Sequence, residues 1–114
     1  MKKFCVIGNP IEHSLSPKLH NFWFKRNKIE AIYEKKLLKE NEIPKLIESI
    51  RKSEINGANV TVPFKNSVIQ FLDDLSSDAR KTNSVNTICK EKDKIIGHNT
   101  DIAGFELALR YINY

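Results

Sequence analysis

Phe4–Pro17, FCVIGNPIEHSLSP, is the stretch on which the fold turns. Phe4 to Ile7 is a short continuous apolar run, as a strand buried on both faces requires, and Gly8-Asn9-Pro10 ends it. Ser16-Pro17 then opens a helix, with Ser placed to cap it and Pro at the first helical position, where no N–H is needed. A strand that passes through a short loop into a helix is the repeating unit of α/β folds.

Further along the chain, the apolar face of this first helix is Leu19, Phe22 and Trp23, with Asn27 near its end. Ala31 to Leu38 reads as a second strand. Asn41 to Ser53 is an amphipathic helix, with Ile43, Leu46, Ile47 and Ile50 at helical spacing. Gly57 to Val62 is a third strand, stopped by Pro63. Phe64 to Leu72 and Ser76 to Asn83 read as short helices. Ser84 to Lys90 and Lys94 to Asn99 form a hairpin across the charged turn EKDK. A last helix starts near Thr100-Asp101 and runs to the C-terminus. This order requires crossover connections. The expected fold is α/β: a three-layer sandwich with a mainly parallel mixed sheet of about five or six strands and helices on both faces. Ligands of such sheets bind beyond the carboxyl ends of the strands.

The totals agree with a single globular unit over residues 1–114. A chain of this size buries roughly 65% of its extended surface, enough for one core. Hydrophobic residues make up 40% and charged residues 29%, ordinary values that argue against disorder. No apolar run approaches the ~20 residues of a membrane span. The start, MKKFCVIGNP, has four apolar residues before Gly8, short of the about 7–15 of a signal peptide, so the cytoplasm is the expected location. Cys5 and Cys89 lie in apolar segments without metal-ligand spacing and are expected as buried, reduced thiols. The net charge of +5 comes from basic residues scattered among acidic ones, which describes solvated faces rather than a nucleic-acid footprint. A mild positive field still attracts a small anionic substrate.

Chemistry concentrates in four short segments. In NVTVPFK, Asn59 and Thr61 share one face of a strand while Val60 and Val62 point to the other. Buried hydrogen-bonding side chains need partners. Lys65 is placed in the first turn of the following helix, where a cation is disfavoured by about 0.3–1 kcal/mol. That position suits a proton-transferring lysine of lowered pKa, the plainer alternative being a surface lysine near a helix start. In SLSP, Ser16 serves as a cap and Ser14 is left over. Both hydroxyls could also hold a carboxylate beside helix-start amides. SVNTI supplies Asn86, otherwise an edge or turn residue. HNTD supplies Asp101, otherwise a helix cap, a job for which Thr100 competes. His13 and His98 read as loop or strand-end neighbours of the site and His20 as a helix-face residue. The three are not grouped as metal ligands, and no metal is expected.

Taken in order, GNPIEHSLSP, GANVTVPFK, SVNTI and HNTDIAGF resemble the substrate-binding domain of the shikimate dehydrogenase family, from Val6 to about Leu109. The resemblance implies that Ser14 and Ser16 bind the substrate carboxylate. It implies that Asn59, Thr61, Asn86 and Asp101 bind ring hydroxyls, and that Lys65 and Asp101 form the catalytic pair. The family's reaction is the reversible NADPH-dependent reduction of 3-dehydroshikimate to shikimate. There the cofactor moves the hydride and Lys65, oriented by Asp101, moves the proton. The chain departs from the family pattern in several places. A Gly-rich Rossmann half is absent, none of Gly8, Gly57, Gly97 and Gly104 forms GxGxxG, and a C-terminal substrate-contacting glutamine is missing. Ile102 stands where Gly often follows NTD, and Lys81-Thr82-Asn83-Ser84 replaces small apolar residues before VNT. The chain alone is therefore expected to bind shikimate or 3-dehydroshikimate but not NADP(H), whose domain is separate or deleted. The alternatives are a stand-alone shikimate- or quinate-binding module, or part of a quinate/shikimate dehydrogenase. Neither nucleic acid nor a membrane is an expected partner.

Overall fold

The computed structural model describes residues 1–101 together with Gly104 and Leu107. The helix expected to run from Thr100 to the C-terminus, including Ile102, lies mostly outside the described residues. Its start is marked by the Gly104 N–H donated to the Thr100 carbonyl at 3.0 Å.

Six strands form one sheet: β1 (Lys2–Gly8), β2 (Ala31–Leu37), β3 (Gly57–Val60), β4 (Asp74–Leu75), β5 (Thr87–Glu91) and β6 (Lys94–His98), in the order β2-β1-β3-β5-β6-β4. The pairs β1–β2, β1–β3 and β4–β6 are parallel, while β5 runs antiparallel to both neighbours. The expected mixed, mainly parallel sheet is what forms. The two-residue strand β4 was not evident in the sequence, because nothing so short carries a period. It is made by β6, whose edge it borders.

Helices cover both faces, so the three-layer arrangement holds. Side chains of β1 alternate between the layers: Cys5 and Ile7 join the larger core, Phe4 and Val6 the smaller one. Helix α2 (Ile43–Arg51) seals the larger core with Ile43, Leu46, Ile47 and Ile50, the four residues that its spacing picked out. It is entered through a 3₁₀ turn, Glu40–Glu42, rather than beginning at Asn41. Helix α3 (Ser77–Thr82) is capped by Ser76, whose hydroxyl accepts the Ala79 N–H at 3.2 Å. The segment expected as a helix over Phe64–Leu72 is a 3₁₀ helix over Ser67–Phe71.

Helix α1 (Ser16–Arg26) contains no fully buried residue. It packs on the β1–β2 side through Phe24, against Val6, Ile11 and Tyr33. The residues read as its apolar face, Leu19, Phe22 and Trp23, are exposed by 47%, 55% and 46%. The helix touches the sheet by the adjoining stripe that carries His20 and Phe24. Cys5 is buried as expected, and burial pushes its thiol up to about 11. Cys89 is only half-buried, because it points to the face of the sheet opposite Ile88, where α1 covers the β1–β2 end and not β5. No helix among the described residues is long and apolar enough to cross a membrane.

Gly97 sits where β6 passes under the larger core. A Cβ at this position falls 2.6 Å from Leu72 Cδ1 and 2.8 Å from Val85 Cγ2. Gly97→Ala therefore overpacks a site that is otherwise extended and unstrained. Chemical denaturation should show a loss of about 1–3 kcal/mol. An unchanged denaturation midpoint would mean that this layer is looser than its contacts imply.

Candidate active site

Strands β1, β3 and β6 end at one edge of the sheet, and β5, because it is antiparallel, begins there. The residues just outside these four ends are therefore brought together from distant parts of the chain. They include Ser14 and Ser16 after β1, Thr61 and Lys65 after β3, Asn86 before β5 and Asp101 after β6.

After β1 the chain turns at Ile11–Ser14, where the Ser14 N–H meets the Ile11 carbonyl at 3.0 Å. Ser16 does not cap α1; it is the first helical residue, and the cap position falls on Leu15 without a side-chain bond. The hydroxyl that accepts is Ser14 Oγ, which takes the Ser16 N–H at 3.3 Å. Ser14, Ser16 and Thr61 line one cavity of about 240 Å³ with His13, Ile11 and Val62. Gly8 closes this corner, since a Cβ there would meet Thr61 Cγ2 at 2.6 Å and the Val62 carbonyl at 3.0 Å.

Strand β3 stops at Val60, two residues earlier than its apolar pattern suggests. The Thr61 N–H still reaches the Ile7 carbonyl at 3.0 Å, and the Thr61 carbonyl then accepts the Phe64 N–H at 3.1 Å. This turn presents Lys65. Lys65 precedes the 3₁₀ helix at Ser67–Phe71 rather than occupying the first turn of a helix, so the helix-dipole argument for it falls. Its backbone carbonyl is anchored by the Val85 N–H at 2.7 Å, and its Nζ donates to Asp101 Oδ2 at 3.0 Å.

Asp101 is held from three sides. Its other oxygen, Oδ1, accepts from Asn86 Nδ2 at 2.9 Å, and its backbone N–H is capped by Asn99 Oδ1 at 2.9 Å. Thr100, the residue expected to compete for that cap, is engaged elsewhere. Its hydroxyl accepts from Asn86 Nδ2 at 2.9 Å, and its N–H donates to Asn86 Oδ1 at 3.2 Å. The hydrogen bond from Lys65 holds the Asp101 carboxyl below the usual carboxylate range, and that from Asn86 adds to it.

Asn59 is half-buried in the centre of the sheet. It opens onto a second cavity of about 240 Å³, largely apolar, shared with His20, Phe24, Tyr33 and Thr87. Its amide donates to the Asn86 carbonyl at 3.3 Å and to Thr87 Oγ1 at 3.2 Å. Thr87 in turn donates to Asn86 Oδ1 at 3.0 Å. The structure thus joins Asn59, Asn86, Asp101 and Lys65 in one network, with Ser14, Ser16 and Thr61 around the adjoining cavity.

Sequence reading missed Tyr33, Thr87, Asn99 and Thr100. The last three had a signal: SVNTI and HNTD each contain Asn-Thr, and the two pairs face each other across β5 and β6. Of the histidines, His13 lines the serine cavity. His98 turns its ring to Glu91 at 2.9 Å, where Cys89, Glu91 and His98 place ligand-capable atoms within 4.8 Å of one another. That grouping is invisible in the sequence because only the β5–β6 pairing creates it.

A dinucleotide has no cradle among the described residues. Gly8 is occupied with packing Thr61, Gly57 faces the Phe4 ring, and Gly97 lies in the core.

Fold and site together define an α/β domain with a polar, cavity-lined sheet edge. Solved structures share the fold. The chain superposes on shikimate 5-dehydrogenase of Listeria monocytogenes, in complex with shikimate and NAD, with a TM-score of 0.92 at 30% identity, covering 100% of this chain and 39% of that one. For the shikimate complex of the Thermus thermophilus enzyme the TM-score is 0.89 at 33% identity, over 97% of this chain and 42% of that one. In sequence, the shikimate dehydrogenase substrate binding domain matches residues 6–88. The shikimate dehydrogenase (NADP(+)) of Pelagibacter ubique is 62% identical over 108 residues, 95% of this chain and 41% of that protein. The chain belongs to the shikimate dehydrogenase family and corresponds to its substrate-binding domain. It spans about two-fifths of the length of these relatives.

Because Lys65 lowers the Asp101 pKa, the pair persists above the ordinary carboxylate value of ~3.9 and is lost only as pH falls through the lower, folded-state value. Carbon-detected NMR titration should place the Asp101 midpoint below ~3.9 in the native chain and move it up in Lys65→Met. Equal midpoints in the two proteins would show that the pair does not form in solution.

Proposed function

We propose that this chain holds shikimate and 3-dehydroshikimate at the edge formed by β1, β3, β5 and β6, as the substrate-binding part of an NADP-dependent shikimate dehydrogenase. The observation that carries this reading is the Lys65–Asp101 pair, 3.0 Å apart, at the same sheet edge as a serine-lined cavity. Ser14 and Ser16 bind the carboxylate, for which two hydroxyls beside the start of α1 are suitable donors. Thr61, Asn59, Asn86 and Asp101 serve the ring hydroxyls.

In the reduction, Lys65 as an ammonium donates a proton to the ring oxygen on which negative charge develops; in the oxidation it takes that proton back. Asp101 keeps the ammonium aimed at the oxygen and balances its charge. Removing one positioned acid–base group costs about 10²–10⁴ in rate. The hydride chemistry belongs to a nicotinamide cofactor, NADP(H) for these relatives, and the described residues do not fit one. For the isolated chain this favours binding without turnover, the cofactor domain being supplied separately or belonging to a longer protein.

Calorimetric titration of the 114-residue chain tests the proposal. Shikimate should bind and raise the melting temperature, as a ligand of the native state must. NADPH should give no heat, and quinate should bind less well because its extra hydroxyl crowds the serine corner. Absence of shikimate binding would overturn the reading.

Lys65→Ala should leave the melting temperature of the free chain within a few degrees, since Lys65 is partly exposed and outside the core. Joined to a cofactor domain, it should lose most turnover while shikimate affinity falls much less. Collapse of the fold in this variant would assign Lys65 a structural role instead.

A further inference from the structure

Tyr33 stands outside every sequence motif of the site, yet both its backbone and its side chain are engaged. It lies in the edge strand β2, paired on one side with Phe4 of β1. On the open side of that strand, Asn21 of α1 closes both backbone groups: Asn21 Nδ2 donates to the Tyr33 carbonyl, and the Tyr33 N–H donates to Asn21 Oδ1, each at 2.9 Å. The ring is stacked on the His20 imidazole, with centroids 4.4 Å apart and planes within 6°. Only 4% of the residue is exposed. Backbone and ring are fixed independently, so the hydroxyl has one place to be.

That place is against Asn59 of the proposed site, to whose Oδ1 the hydroxyl donates at 2.7 Å, with Ser16 nearby. The donor directions follow from chemistry. The Asn86 carbonyl can only accept, so the Asn59 amino end must face it and the Asn59 oxygen must face Tyr33. Tyr33 is then committed as the donor. Burial pushes its phenol up to about 12, which keeps that proton in place throughout the neutral range.

From Asn59 the same direction continues without reversal. Asn59 Nδ2 donates to Thr87 Oγ1 at 3.2 Å, Thr87 donates to Asn86 Oδ1 at 3.0 Å, and Asn86 Nδ2 donates to Asp101 Oδ1 at 2.9 Å. Each donor polarises the next, and the series ends on the carboxylate that pairs with Lys65.

We propose that Tyr33 is a positioning residue of this site, whose hydroxyl sets the orientation of the Asn59 amide and, through Thr87 and Asn86, bears on the Lys65–Asp101 end. It touches no reacting atom. The inference rests on the shikimate-binding reading for its effect on affinity, while its effect on Asp101 is independent of any ligand.

Tyr33→Phe removes the hydroxyl and keeps the ring on His20. In the 114-residue chain, calorimetry should show shikimate affinity falling about tenfold, equivalent to roughly 1.4 kcal/mol. In an Asn59→Ala background the same change should alter affinity by less than about twofold, because the coupled partner is already gone. The ligand-free Asp101 carboxyl should titrate a few tenths of a pH unit higher in Tyr33→Phe. Thr87→Val should reproduce that shift and Thr87→Ser should abolish it, a pattern that does not depend on Tyr33→Phe folding well. Equal losses of affinity in both backgrounds, or an Asp101 midpoint unmoved in Tyr33→Phe and Thr87→Val, would overturn the proposal. Should native chain fail to bind shikimate, the function proposed above falls, and the ligand-free titration still decides for or against Tyr33.

Discussion

An acidic side chain at a sheet edge is held in one position only if donors converge on it, and Asp101 collects them from two separate stretches of chain. Lys65 comes from the turn after β3 and Asn86 from the residue before β5, while the Asp101 backbone N–H is itself fixed by donating to Asn99 Oδ1. This convergence depends on the direction of β5. In a fully parallel sheet, Asn86 would enter at the opposite edge, a strand's length away. Because β5 runs antiparallel between β3 and β6, its first residues lie beside the last residues of both neighbours. One reversed strand therefore determines whether the polar residues form a site or remain scattered.

The two cores fix that edge without taking part in it. The larger, built from Ile7, Val60, Val85, Ile88 and Ile95 with the face of α2, pins β1, β3, β5 and β6 in register. The smaller brings α1 onto β1 and β2 and so places Ser14 and Ser16 near Thr61. Its contact is light: α1 buries no residue completely and leaves Leu19, Phe22 and Trp23 exposed. The serine end thus depends on a lightly packed helix, and the bonds from Asn21 to the Tyr33 backbone are what tie that helix to the edge strand.

The strands, α2 and the hairpin could be read from the sequence because each depends on local signals: apolar runs, a helical period, and turn residues such as Gly8-Asn9-Pro10 and Pro63. Errors arose where a local preference met a competing demand. Ser16 is a good cap by type, but the helix begins one residue earlier, with Leu15 at the cap position, and the Ser16 N–H, now in the first turn, is accepted by Ser14 Oγ. Lys65 follows a strand and precedes a helical pattern, yet the Thr61 turn intervenes and places it outside the helix. Two-residue β4 has no period to detect.

Side-chain type and periodicity are properties of short segments, so the α/β class, the members of the main core and the set of polar candidates are written in the order of residues. Which candidates meet, which hydrogens each amide has left to give, and that Tyr33 belongs among them became fixed only on folding. Those outcomes depend on strand direction and on distances between residues far apart in the chain, such as Tyr33 with Asn59, 26 positions apart, and Lys65 with Asp101, 36 apart. No local spacing encodes such distances, because they are established only when the sheet closes its register.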